Sequence, residues 1–136
     1  MNAKPFFDTN ILLYAFSEDD PRNEVARILL AAGGVIGVQT LNEFVAVARG
    51  KARRSWEQVF GALRAIRDLC PTVIPLTSDV HDAALGIAER YGYHIFDSLV
   101  IAAALEGRCR TLYSEDMRDG QKIGDVVIRN PFAPQP

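Results

Sequence analysis

Short apolar runs along the chain alternate with longer stretches that carry an apolar group every three or four positions, a pattern that predicts strands separated by helices. Phe6-Phe7 reads as a short buried strand, followed by a helix over Ile11-Leu12-Leu13-Tyr14-Ala15-Phe16 that Thr9-Asn10 can cap. Arg22 to Ala32 has Val25, Ile28, Leu29 and Ala32 at helical spacing and closes at Gly33-Gly34. Val35-Ile36-Gly37-Val38 is the next strand, and Leu41, Phe44, Val45 and Ala48 mark a helix from Thr40. Ser55-Trp56-Glu57-Gln58 has the form of a capping box opening a helix to about Leu69, where Cys70-Pro71 stops it. Thr72 to Leu76 is a third strand, and a helix from Ser78 or Asp79 reaches Tyr91-Gly92. Phe96 to Leu105 is a helix apolar nearly all round, and therefore central. Cys109 to Tyr113 and Val126 to Ile128 complete the expected strands.

Strands alternating with helices imply an α/β fold whose central parallel sheet, of about four to five strands, is flanked by helices. A chain of 136 residues, 49% hydrophobic and 24% charged, fits a single domain over 1–136, with 130–136 as an extended tail that Phe132 can anchor. The net charge of -2 supplies no global pull toward nucleic acid, so any such binding needs a local basic patch. Cys70 and Cys109 lie far apart without metal-ligand spacing, which argues against a disulfide framework or a zinc site. No apolar run approaches the roughly 18 residues of a membrane span, so a soluble cytoplasmic protein is expected.

The acids change the picture. Asp8 follows the first strand, Glu43 lies one turn into the helix after the second, Asp97 opens the apolar helix, and Ser114 to Gly120 carries Glu115, Asp116 and Asp119 after the fourth strand. Each has a bland explanation: a helix cap for Asp8 and Asp97, a solvated face for Glu43, a turn for Asp116 and Asp119. That explanation must be repeated at every position, and it leaves unexplained why the acids recur at the carboxyl end of the inferred sheet, where ligand crevices form. A shared divalent cation explains all of them at once, and hard oxygen donors suit Mg²⁺ or Mn²⁺. Metal-dependent phosphodiester hydrolysis is the chemistry such a site performs.

Four segments in this order, Phe7-Asp8-Thr9-Asn10-Ile11-Leu12-Leu13-Tyr14-Ala15, Leu41-Asn42-Glu43-Phe44, Phe96-Asp97-Ser98-Leu99-Val100-Ile101-Ala102-Ala103-Ala104 and Tyr113-Ser114-Glu115-Asp116-Met117-Arg118-Asp119-Gly120, resemble the PIN-domain nucleases, and within them the VapC-like toxin ribonucleases of toxin–antitoxin pairs. The resemblance implies a PIN-like fold, Mg²⁺- or Mn²⁺-dependent RNA endonuclease activity, and inhibition by an antitoxin whose tail enters the active-site groove. By motif, Asp8, Glu43, Asp97 and Asp116 are the four acids, with Asp119 competing for the last place. Asp8, Asp97 and Asp116 are then the expected metal ligands and Glu43 a ligand or general base, and a homodimer is the common assembly.

Thr9, Asn10 and Ser114, polar neighbours of the acids, are candidates to orient a carboxylate or a phosphate-bound water. Arg49, Lys51, Arg53 and Arg54 form a dense basic run that would meet RNA phosphates or, equally, be a solvated helix end. Arg108, Arg110, Arg118 and Lys122 are further candidates for phosphate or antitoxin contacts, and Trp56 for a base or an interface. His81 and His94 read as structural. The rival assignments are a PIN nuclease with a housekeeping RNA or DNA role and a non-catalytic Mg²⁺-binding signalling or interaction domain. A receiver-type signalling domain needs a mid-chain acid that Val73-Ile74-Pro75-Leu76 does not supply.

Overall fold

A computed structural model describes residues 3–133. The elements run β1 (Phe6–Phe7), α1 (Thr9–Ala15), α2 (Asn23–Ala31), β2 (Val35–Gly37), α3 (Val38–Arg49), α4 (Trp56–Leu69), β3 (Thr72–Ile74), α5 (Ser78–Tyr91), α6 (Ile95–Glu106), β4 (Thr111–Tyr113), β5 (Lys122–Ile123) and β6 (Val126–Arg129). The strands form one sheet in the order β3-β2-β1-β4-β6-β5, with every pairing parallel except β5 on β6. The sixth strand, β5, adds to the expected set.

Successive residues on a strand point to opposite faces, and the sheet uses this to build two cores. Phe6, Val35, Ile74, Leu112 and Ile128 join α5 and α6 in one cluster, while Phe7, Ile36 and Val73 meet α1 to α4 in the other. The central position expected for α6 is observed: Ser98 to Ala104 are buried without a break. Gly34 permits the tight approach at β1, since a Cβ there would lie 2.4 Å from a Phe7 ring carbon and 2.8 Å from the Pro5 carbonyl.

Several element ends differ from the sequence expectation, each for a local reason. Asp8 itself, not Thr9-Asn10, caps α1: its backbone is extended (φ -72°, ψ 163°) and Thr9 is already helical. Strand β2 ends at Gly37, and α3 starts two residues before Thr40, whose hydroxyl donates to the Gly37 carbonyl (2.7 Å) and accepts its N–H (2.9 Å). Helix α6 starts at Ile95 because His94 Nδ1 accepts the Phe96 N–H (3.2 Å), so the capping role is taken by His94 and leaves Asp97 inside the first turn. The capping box at Ser55 and Gln58 is present as expected, with bonds of 3.1 and 2.8 Å. Of the expected tail, residues 134–136 lie outside the described residues, and Asn130 to Ala133 form a turn that sets Phe132 edge-on to Tyr14 (5.3 Å between centroids). Among the described residues no helix is long and apolar enough to cross a membrane.

Candidate active site

The parallel pairing of β1 with β4 brings their carboxyl ends together, and the Asp8 N–H donates to the Tyr113 carbonyl at 3.0 Å. Asp8 is thereby placed beside Ser114, 106 residues away in sequence, whose hydroxyl donates to Asp8 Oδ2 at 2.7 Å. The other carboxylate oxygen accepts the Thr9 N–H, also at 2.7 Å. Asp8 is 5% exposed. Burial, reinforced by the charges of Glu43 and Asp97 and opposed by the Ser114 and Thr9 bonds, pushes its carboxyl up to about 7.

The other acids reach the same crevice from separate elements. Glu43, in α3, accepts from the Thr9 hydroxyl at 3.0 Å and from Gln39 Nε2 at 3.2 Å. Asp97, in the first turn of α6, is raised by burial and then by the charge of Asp116, with Glu43 adding to it and His94 opposing it. Asp116 Oδ2 accepts from Asn10 Nδ2 at 3.1 Å. Its competitor Asp119 is engaged elsewhere, its Oδ1 accepting the Asn130 N–H at 2.9 Å. Thr9, Asn10 and Ser114, buried at the end of the sheet, each bond one of the acids.

A PIN domain matches residues 6–122. The chain belongs to the PIN-domain family. No curated protein sequence matches it. Its fold is similar to that of a toxin–antitoxin complex from Klebsiella pneumoniae (19% identity, TM-score 0.70, covering 96% of this chain and 98% of that one). It is also similar to Mycobacterium tuberculosis VapC20, a sarcin–ricin loop cleaving toxin (20% identity, TM-score 0.65, 82% and 91% coverage). A third likeness is to Rickettsia felis VapBC2 bound to a promoter DNA fragment (19%, 0.64, 93% and 97%). The PIN sheet order, with β1 between β2 and β4, also differs from the 2-1-3-4-5 order of flavodoxin-like signalling domains.

The donor set of this PIN site fits a hard divalent cation. The four carboxylates are near enough for Asp8 to feel the charges of Glu43 and Asp97, and Asp97 those of Asp116 and Glu43, and two buried polar atoms, Asn10 Oδ1 and Ser98 Oγ, have no hydrogen-bond partner among the described residues. The side chains do not form a finished cage, for among the described residues no group of three His, Cys, Asp or Glu is gathered closely enough to hold an ion.

The basic run lies elsewhere. Arg49 is six residues beyond Glu43 on α3, about 9 Å of helix rise. Its Nη1 donates to the Arg54 carbonyl (2.9 Å) and its guanidinium lies over Trp56, while Arg54 Nη2 donates to the Phe16 carbonyl at the end of α1 (2.8 Å). Lys51 and Arg53 are exposed. Arg118 packs over Tyr93 and donates to the Tyr91 carbonyl. Sequence reasoning passed over Tyr14, Asp20, Arg22 and Glu115, which form a network beside Asp116; Tyr14 and Arg22 meet Glu115 through contacts too distant in sequence to show in local pattern.

Proposed function

We propose that the protein is a Mg²⁺- or Mn²⁺-dependent endoribonuclease, the toxin of a cytoplasmic toxin–antitoxin pair. The observation that carries this reading is the convergence of Asp8, Glu43, Asp97 and Asp116 on one crevice, where Asp8 and Asp97 both feel the charge of other acids. PIN-family membership supports the nuclease class, and the toxin–antitoxin complexes among the structural neighbours support the pairing.

When bound, a divalent cation supplies Lewis acidity and offsets the charge that builds on phosphate oxygens. Asp8, Asp97 and Asp116 would hold it, with Glu43 as a further ligand or the base. Thr9 and Gln39 fix the two Glu43 oxygens, so that the carboxylate can take a proton from attacking water without first paying for reorientation. Ser114 and the Thr9 amide hold Asp8 in one orientation, and Asn10 does the same for Asp116. Lys51 and Arg53, at the exposed end of the basic run, provide salt-sensitive contacts to RNA phosphates.

An antitoxin has a surface to occupy. A groove of about 420 Å³ lined by Leu13, Phe16, Phe44, Ala48, Val59 and Ala62 runs between α1, α3 and α4. Ile11 and Leu12 are consumed by the core, whereas Trp56 and Phe60 are half exposed and stacked on each other, a patch suited to the antitoxin or to a homodimer contact.

The test is cleavage of a pool of structured RNAs by the purified protein with Mg²⁺, Mn²⁺ or EDTA, beside Asp8→Asn and Asp97→Asn. Metal-dependent cutting lost in both variants is expected. No cutting by folded, metal-loaded, antitoxin-free protein would favour a non-catalytic binding domain.

A further inference from the structure

Arg22 stands outside the four acids, in the corner between α1 and α2, yet its guanidinium is held on several sides. Its Nε and Nη2 donate to the two oxygens of Asp20 at 2.8 Å each, and its Nη1 donates to Glu115 Oε1 at 2.8 Å. The Tyr14 ring lies against the guanidinium, 3.8 Å from centroid to carbon, and the Tyr14 hydroxyl donates to the same Glu115 oxygen at 2.6 Å. Glu115 immediately precedes Asp116, which Asn10 holds independently. Two adjacent carboxylates are thus tied directly to α1, Asp116 by Asn10 and Glu115 by Tyr14, and Arg22 adds a second hold on Glu115.

We propose that Tyr14 and Arg22 form a brace that fixes the Ser114 to Gly120 loop through Glu115 and thereby sets Asp116 for divalent-cation binding. The inference rests on the metal-dependent reading above and makes Arg22 a positioning residue for it. Three physical features support the brace. The bidentate fork onto Asp20 fixes the guanidinium plane, which leaves one edge aimed at Glu115. Asp20 also offsets the arginine charge, so Arg22 does not replace the cation as counter-ion to the acids. Finally, Arg22 and Tyr14 satisfy Glu115, which would otherwise add another uncompensated carboxylate to a crowded site and leave the Asp116 loop to be ordered at each binding event.

The experiment is calorimetric titration of Mn²⁺ alone into wild type, Arg22→Lys, Tyr14→Phe, Asp116→Asn and the Arg22→Lys/Asp116→Asn pair, with thermal unfolding to establish that each is folded. Arg22→Lys keeps the charge and loses the fork, and is expected to weaken Mn²⁺ binding about 10-fold. Tyr14→Phe removes one hydroxyl and shifts affinity the same way by less, which preserves the test if Arg22→Lys does not fold. In the Asp116→Asn background, Arg22→Lys is expected to add nothing. Wild-type affinity in both brace variants, or an equal loss from Arg22→Lys with and without Asp116, overturns the brace alone. A wild-type protein that binds no Mn²⁺ overturns the metal reading together with it.

Discussion

The acidic crevice and the Arg49 to Arg54 segment each gather charge of one sign, the first from positions far apart in the sequence and the second from one short run, and the fold treats them in opposite ways. Arg49 and Arg54 each donate to a backbone carbonyl, and Arg49 also covers Trp56, so part of that charge is spent tying α3 to α1. Asp8, Glu43 and Asp116 accept from Thr9, Ser114, Gln39 and Asn10, all neutral, and among the described residues none of these three acids, nor Asp97, takes part in an ion pair. Charge answered by dipoles serves stability. Like charges gathered with no counter-ion raise the cost of folding, a cost that the proposed cation would offset.

The strongest way to break that contrast is Asp8→Asn. Cleavage should fall by more than the roughly 10- to 100-fold typical of outer positions, while the metal-free protein becomes more stable at pH 8 in urea unfolding; an activity loss accompanied by lower stability would sink the contrast. Next is pH. The Asp8 carboxyl lies at about 7 in the fold against 3.8 unperturbed, so the folded state binds more protons. Its contribution is therefore most favourable below pH 4 and is lost as pH rises to 7 and beyond, by on the order of 4 kcal/mol from about 1.36 kcal/mol per unit. Urea unfolding in EDTA from pH 5 to 8 should show this decline, and Asp8→Asn should flatten it. Partly buried Asp20 runs the other way: Arg22 holds it down at about 2, so its contribution is present above pH 4 and fades only in strong acid.

Smaller changes sharpen the comparison. Ser114→Ala removes a bond that favours ionised Asp8, so the Asp8 carboxyl should rise further and Mn²⁺ affinity at pH 7 drop about 10-fold, as read by calorimetry. Arg54→Ala should cost about 1 kcal/mol of stability through the lost bond to Phe16 and leave Mn²⁺ affinity unchanged. A large metal effect from Arg54→Ala would mean that the basic run belongs to the site after all.

Periodicity made α4 and α5 readable in the sequence, an unbroken apolar run marked α6, and the recurrence of acids after apolar runs pointed to the end of the sheet where Asp8 meets Ser114. Strand β5 was not readable, because two residues paired across a short turn carry no period. Asp8, Thr9 and Asn10 are equally good capping types in the sequence, and only the fold shows Asp8 as the cap, with Thr9 and Asn10 turned toward Glu43 and Asp116. The Arg22–Glu115 pair spans 93 positions, and a contact at that distance leaves no trace in local pattern.

The most direct measurement is an NMR titration of the Asp8 side-chain carboxyl, first in EDTA and then in saturating Mg²⁺. The account predicts a midpoint near 7 without metal and one displaced well below it with Mg²⁺, as the cation displaces the proton into solvent. An ordinary midpoint near 4, unchanged by Mg²⁺, would contradict it.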